Sequence, residues 1–302
     1  MLCRSIQRLE RTVVNKIEDI HVAETTAPIG ARVYGLNLKK SVDGTLIEYL
    51  NVLLDRHAVL IFPEQFLEPH EFVRAGRIFG EIMPQQLKKY VLKDHPLVGY
   101  NSTKDLPIKN GRLQVRGENY HTDHSNFERP PRATALVAVE IPSFGGDTQF
   151  VDTRMAFDSL DDDLKVKATS FLSKHVHQSS KSPRELTKLS QEDLAEIPET
   201  IQPLVIKHPT SGRPALYLNT GRMEGIEGLP EKEAYELIEI LYDHAIQPRF
   251  EYRHRWTKGE MVIWDNRSVM HQANGDYDPS EYRYLYRIMI EGPKVERYVT
   301  QH

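Results

Sequence analysis

The segment Tyr120-His121-Thr122-Asp123 holds the one His-x-Asp of the sequence. In an extended backbone, residues two apart point to the same side, so His121 and Asp123 can reach a single metal ion. Among 13 histidines such a pair can arise from composition alone, and it needs a third ligand before it means anything. His271 is the best candidate, closing the run Trp264-Asp265-Asn266-Arg267-Ser268-Val269-Met270-His271 just after a β-rich stretch. Two histidines and a carboxylate are the facial set of non-haem Fe(II) enzymes, which leaves coordination positions open for a second reactant and oxygen. The same side chains can hold zinc for hydrolysis. Spacing does not separate these readings; an anion-binding partner does.

That partner stands in Tyr282-Arg283-Tyr284-Leu285-Tyr286-Arg287-Ile288-Met289-Ile290. As a strand, this run puts Arg283, Leu285 and Arg287 on one face, and two arginines directed into a protein interior are costly unless an anion meets them. Guanidinium binds carboxylate through two parallel hydrogen bonds, which suits a dicarboxylate and an acidic substrate. The competing reading is an edge strand with solvated arginines.

These residues must be positioned by a strand-rich scaffold. Ala31 to Leu38 alternates like a strand, Thr45 to Asp55 puts Leu46, Leu50, Leu53 and Leu54 on one helical face, and His57 to Phe62 reads as a buried strand. Pro69 to Gly80 has helical spacing with a stop glycine. From Thr134 onward, short β-rich runs (134–140, 148–151, 204–208, 215–218, 261–264, 282–290) are separated by Gly/Pro turns, the pattern of a sandwich or barrel. Helices are expected over Met155 to Phe171 and Glu231 to Ala245. The polar stretch 179–200 reads as a mobile surface loop or lid, or equally as a plain connector.

Composition narrows the function. With 39 basic and 43 acidic residues in 302, the net charge is −4, which excludes a dedicated nucleic-acid binder. The balance of 39% hydrophobic and 27% charged residues is that of a globular protein. No apolar run approaches the roughly 20 residues that span a bilayer, so no membrane partner is expected. The lone Cys3 excludes an internal disulfide and a four-Cys zinc site and fits a reducing, cytoplasmic setting. Met1 to Ile20 lacks the apolar core of a secretory signal and carries acidic residues that transit peptides avoid. Residues 1–28 are therefore expected to form an N-terminal arm, and 29–302 one domain, mostly β with outer helices.

His121-Thr122-Asp123, then Phe144-Gly145-Gly146-Asp147-Thr148, then Trp264-Asp265-Asn266-Arg267 with His271, then Asp276-Tyr277 and Arg283 resemble the taurine dioxygenase and 2,4-dichlorophenoxyacetate dioxygenase (TauD/TfdA) family of Fe(II)/2-oxoglutarate enzymes. The likeness runs from about Ile29 to Gly292 and includes Phe79-Gly80-Glu81-Ile82 and His254-Arg255-Trp256-Thr257-Lys258-Gly259-Glu260. It implies a double-stranded β-helix (jelly roll, clavaminate synthase-like), with His121, Asp123 and His271 as the catalytic iron ligands. It also implies that Thr148 and Arg283 hold the 2-oxoglutarate carboxylate and that Arg287 meets an anionic substrate group. The cofactors would be Fe(2+), 2-oxoglutarate and O2, the product side succinate and CO2, and the assembly a homodimer or homotetramer. Asp123 stands where related halogenases lack a carboxylate, which favours oxygenation.

The sequence departs from taurine-type members at Gln85, where they carry a sulfonate-contacting histidine, at Gly117, where they have an asparagine, and at Arg222, where a phenylalanine is usual. Taurine is thereby disfavoured, and Gln85 with Arg222 or Glu224 is expected to line a more polar pocket. His124 should face away from the metal, and His175 and His177 lack a carboxylate partner at motif spacing. Tyr120, Tyr284 and Tyr286 read as packing residues. The rival functions are a zinc hydrolase on the same triad, which has no use for Arg283 and Thr148, and a non-catalytic jelly-roll binding protein.

Overall fold

The computed structural model describes residues 20–86, 88–183 and 197–299. Its largest unit is an eight-stranded sheet, in the order His21–Glu24, Ala31–Tyr34, Val59–Phe62, Met261–Asp265, Ala133–Glu140, Tyr284–Ile290, His95–Ser102, Val91–Leu92. All pairings are antiparallel except that of Ala31–Tyr34 with Val59–Phe62. The first strand lies inside the span expected as an arm and pairs with Ala31–Tyr34. Facing the central strands is a three-stranded sheet of Glu251–His254, Thr148–Asp152 and Val269–Ala273. The two sheets close on Val59, Ile61, Leu136, Phe150, Val262, Trp264, Val269 and Leu285. The arrangement is the expected jelly roll.

The other face of the large sheet is also covered. Leu60, Phe62, Ile263 and Ile288 pack there against Leu50, Leu53 and Leu54 of the helix Gly44–His57 and Phe72 of the helix Pro69–Gly76. Burial on both faces explains why Val59–Phe62 is a continuous apolar run and not an alternating one. Asp43 caps the first helix by accepting a hydrogen bond from the Leu46 N–H at 2.8 Å, and Ala58 ends it in a left-handed conformation (φ 61°). The second helix starts on Pro69 and gives way at Arg77 to a 3-10 turn through Phe79, so the expected helix to Gly80 is shorter than its pattern. A third apolar cluster gathers under the helix Glu231–Ala245 through Leu237, Ile238 and Leu241.

The single helix expected over 155–171 is two, Thr153–Asp158 and Asp162–Ser170. Asp161 breaks it by accepting from the Leu164 N–H at 2.8 Å, the side chain replacing a helical carbonyl and restarting the helix as its cap. Most of the expected lid, residues 184–196, lies outside the described residues, as does the arm up to residue 19. Among the described residues no helix is long and apolar enough to cross a membrane.

The tight connection from Met261–Asp265 to Val269–Ala273 rests on a buried ionic cluster. Arg267 donates to both oxygens of Asp265 at 2.8 Å and to Asp55 at 3.0 Å, and His208 Nε2 lies 2.9 Å from Asp265. Asp55, His208 and Asp265 have the composition of a second metal site, but guanidinium groups occupy both carboxylates. Burial opposes ionisation of Asp265, and Arg267 with His208 overrides it, holding the carboxyl well below its usual range. A carboxyl depressed in the fold contributes stability that is present above the ordinary carboxylate range and is lost as pH falls below it. Asp265→Asn should cost about 3–5 kcal/mol in urea unfolding at pH 7, because it leaves Arg267 buried without its partner. The deficit should shrink as both proteins are taken to acid pH; an equal deficit at pH 7 and pH 3 would contradict this role.

Candidate active site

The turn between the two strands delivers His271 to the inside of the roll. His121 is tied to it by paired backbone hydrogen bonds, each N–H donating to the other residue's carbonyl at 3.0 Å. The imidazoles consequently face one another, with centroids 4.3 Å apart. His121 Nε2 lies 3.7 Å from Asp123 Oδ1, and His271 Nε2 lies 3.9 Å from Asp123 Oδ2. One donor atom from each of the three residues falls within 4.8 Å of the others. His121 Nδ1 donates to the Asn119 carbonyl at 2.8 Å, and because a carbonyl only accepts, the Nε2 lone pair is left facing Asp123. Burial pushes His271 down to about 3. A neutral imidazole and an ionised carboxylate are the forms that ligate a divalent ion, so the donor set fits one.

Asp123 is the centre of this arrangement. It is buried, and burial opposes its charge, yet Arg287 Nη2 at 3.1 Å from Oδ1 leads the contacts that hold its carboxyl well below the usual range. A chain of hydrogen bonds orients Oδ2: Trp264 Nε1 donates to Asn266 Oδ1 at 3.0 Å, Asn266 Nδ2 to Thr134 Oγ1 at 2.9 Å, and Thr134 Oγ1 to Asp123 Oδ2 at 2.7 Å. Thr134 and Asn266 are both buried. The Trp-Asp-Asn-Arg motif thus does two structural jobs, Asp265 and Arg267 holding the turn and Trp264 and Asn266 orienting the Asp123 carboxylate.

The expected extended backbone over the motif holds only at its start, since a turn begins at Asp123 and His124 is left-handed (φ 48°). That turn breaks the alternation that would send His124 outward, so His124 lines the cavity beside the triad. Burial, then Arg287 and Arg222, pushes it down to about 3.

Thr148 and Arg283 line the same cavity. Thr148 Oγ1 accepts from Trp256 Nε1 at 3.0 Å, which leaves the hydroxyl hydrogen available to an incoming oxygen. Arg283 is buried; its Nε donates to the Gly146 carbonyl at 2.9 Å, and among the described residues its terminal nitrogens meet no carboxylate. Gly146 is left-handed (φ 68°), and a Cβ there would sit 3.0 Å from the Arg283 side chain. Its N–H donates to Asp276 Oδ1 at 2.9 Å, and Arg253 bridges Asp276 and Asp147 at 2.6 and 2.7 Å. In the His254-to-Glu260 run, Trp256 orients Thr148, and Glu260 accepts from Thr257 N–H at 2.6 Å and lies 2.8 Å from His254 Nε2.

A cavity of about 790 Å3 joins the triad to Thr148 and Arg283. The family model described as taurine catabolism dioxygenase TauD, TfdA family matches residues 21–289. This chain belongs to the TauD/TfdA family. It is 32% identical over 280 residues to an alpha-ketoglutarate-dependent 2,4-dichlorophenoxyacetate dioxygenase of Cupriavidus pinatubonensis, covering 88% of this chain and 96% of that one. An alkylsulfatase of Acinetobacter baylyi is 27% identical over 289 residues, with 93% and 87% covered. Among solved structures, AAD-2 in complex with Mn(II) and N-oxalylglycine superposes with a TM-score of 0.78 at 26% identity, covering 93% of this chain and 99% of that one. A taurine dioxygenase from Burkholderia xenovorans gives 0.75 at 29%, with 91% and 92% covered.

For a TauD/TfdA pocket, the remaining walls are individual. Gln85 lines the cavity, donating to the Leu97 carbonyl at 3.1 Å and packing over Gly99. Gly117 is left-handed (φ 75°), and a Cβ there would lie 2.9 Å from His121 Cε1. Arg222 also lines the cavity and donates to the His177 carbonyl at 3.0 Å, whereas Glu224 is drawn away to accept from the Ser180 N–H at 2.6 Å. His175 is buried against Ser125 Oγ at 2.8 Å and takes no part in the triad. Sequence reasoning missed Thr134, which reads only as the start of a strand.

Removing the Thr134 hydroxyl should free Asp123 to turn and leave Asn266 without an acceptor. Thr134→Val is expected to weaken Mn(II) binding by roughly 10–100-fold while Thr134→Ser retains most of it. Anaerobic calorimetric titration of the metal-free protein reads both, and wild-type affinity in Thr134→Val would refute the role.

Proposed function

We propose that this protein is a cytoplasmic Fe(II)- and 2-oxoglutarate-dependent dioxygenase that oxidises an unactivated C–H bond of a small organic anion. The observation that carries the reading is the meeting, in one cavity, of a neutral-histidine and carboxylate triad with a buried arginine that no described carboxylate neutralises. A zinc hydrolase on the same triad leaves that arginine unexplained, and a binding protein leaves the triad unexplained.

In this reading His121, Asp123 and His271 hold the iron, Thr148 and Arg283 take the distal carboxylate of 2-oxoglutarate, and the bound pair with O2 supplies decarboxylation to succinate and CO2 coupled to C–H oxidation. The protein's own work is positional. Trp256 aims the Thr148 hydroxyl, the Gly146 carbonyl fixes the plane of Arg283, and burial removes the water that would compete for both donors. The aryloxyacetate and alkyl sulfate chemistry in the relatives' names, together with a cationic cavity, supports an anionic substrate; the departures at Gln85, Gly117 and Arg222 argue against taurine. The resemblance also supports a homo-oligomer, which sedimentation velocity reads directly.

Anaerobic addition of Fe(II) and 2-oxoglutarate to the metal-free protein should produce the visible charge-transfer band of a 2-oxo acid chelate. Arg283→Ala should raise the 2-oxoglutarate concentration for half-formation roughly 10–100-fold, the scale of a lost charge-assisted contact. No band in the wild type, or a band indifferent to Arg283→Ala, would overturn the reading.

A further inference from the structure

The strand Glu251–His254 pairs with Thr148–Asp152 in the register that sets His254 opposite Thr148. The strand ends there, and the chain runs on without regular structure through Trp256, whose indole reaches back to donate to Thr148 Oγ1 at 3.0 Å. An indole on such a segment has no sheet ladder to fix its angle, and among the described residues Thr148 is its one hydrogen-bond partner. The aromatic ring packed against it is that of His254, with centroids 4.8 Å apart and the two planes at 90°.

His254 is itself clamped. Glu260 Oε1 lies 2.8 Å from its Nε2 and also accepts from the Thr257 N–H at 2.6 Å, which puts the imidazole hydrogen on Nε2 and leaves Nδ1 to accept from the Tyr252 hydroxyl at 2.9 Å. With both ring nitrogens engaged, the imidazole is held against turning. Glu260 is pinned in its turn: its carbonyl accepts from the Ala138 N–H at 3.0 Å, and its second carboxylate oxygen lies 3.7 Å from Arg32 Nη1. His254 is 0% exposed and Glu260 1%. Burying such a pair carries a desolvation cost that an apolar ring in the same space would avoid, so the filling of space does not account for it. None of these contacts involves an atom of the triad.

We propose that His254, clamped by Glu260 and Tyr252, is a positioning residue for the cosubstrate. It holds Trp256 at the angle at which the indole N–H meets Thr148 Oγ1, and so keeps the Thr148 hydroxyl hydrogen directed into the cavity, toward a carboxylate of 2-oxoglutarate. The proposal rests on the dioxygenase reading for the identity of that carboxylate. The clamp itself is a property of the chain without any ligand, so it is tested apart from that reading.

The chain has two tryptophans, Trp256 and Trp264, so metal-free protein labelled with [15N]tryptophan gives two indole N–H resonances, assigned with Trp256→Phe. In His254→Phe the Trp256 resonance should move toward the position it takes in Thr148→Val, where its acceptor is gone, while the Trp264 resonance stays and reports an intact fold. Glu260→Gln keeps an acceptor for His254 and should resemble the wild type; Glu260→Ala, which leaves both rings in place, should move the Trp256 resonance as His254→Phe does and carries the test if His254→Phe disturbs Trp264. With Fe(II) added anaerobically, His254→Phe should raise the 2-oxoglutarate concentration for half-formation of the chelate band roughly three- to tenfold, the scale of one neutral hydrogen bond. The double variant with Trp256→Phe should be no weaker than Trp256→Phe alone, because the two residues act in series. A wild-type Trp256 resonance in both His254→Phe and Glu260→Ala, or losses of 2-oxoglutarate affinity that add in the double variant, would overturn the proposal. Absence of the band in the wild type would instead overturn the dioxygenase reading and leave the indole resonances to judge the clamp.

Discussion

A buried, ionised carboxylate is the constraint around which this molecule is arranged. Asp123 is enclosed in protein, where a lone charge is unstable, and it is kept charged by donors on both of its oxygens. Arg287 meets Oδ1, and Thr134 meets Oδ2 at the end of a hydrogen-bonded chain that begins at Trp264. Those partners come from three neighbouring strands of the large sheet and its adjoining turn, so the position of one side chain depends on the register of the whole sheet. The histidines are fixed from the opposite sheet, where the strand Val269–Ala273 carries His271 and binds His121 through its backbone. The geometry of the triad and the pairing of the sheets are therefore one problem with one solution.

The side of the cavity that carries Thr148 and Arg283 follows the same economy. Short buried polar residues aim single groups: Trp256 turns the Thr148 hydroxyl, and a left-handed Gly146 lets its carbonyl reach Arg283. Gly146 is in turn held by Asp276, and Asp276 by Arg253, so the loop after Ala133–Glu140 is anchored to the segment that precedes Tyr284–Ile290. Each of these contacts is individually small. Together they leave a buried guanidinium that no described carboxylate meets beside the triad of His121, Asp123 and His271, a combination whose cost an incoming anion would offset.

Much of this was legible in the residues. The triad could be read because His-x-Asp and His271 are chemically distinctive types in an ordered set of motifs, and the jelly roll because short strands and turns alternate from Thr134 onward. The run His57 to Phe62 was readable as a buried strand, and the fold covers Val59–Phe62 on both faces. The helix over 155–171 was misread as continuous because hydrophobic spacing survives the break, while the cap at Asp161 that causes it is a single side-chain hydrogen bond. His124 was misplaced for a similar reason: alternation assumes an extended chain, and a left-handed backbone at one residue reverses it. Thr134 was invisible because its role comes from partners elsewhere in the sequence, Asn266 and Asp123. Arg287 was read as an anion anchor from its strand face and from the family resemblance, and the fold places its guanidinium 3.1 Å from Asp123 Oδ1 beside the same cavity.

The central claim is that the triad and Arg283 form one oxidative site for 2-oxoglutarate. It is tested most directly by following labelled CO2 from 2-oxoglutarate carrying carbon-14 at C1, with Fe(II) and O2 present or withheld. The account predicts release that requires both, ceases in Asp123→Ala, and rises when an accepted organic anion is added. Release that survives Asp123→Ala, or no release from wild-type protein supplied with Fe(II), O2 and 2-oxoglutarate, would contradict it.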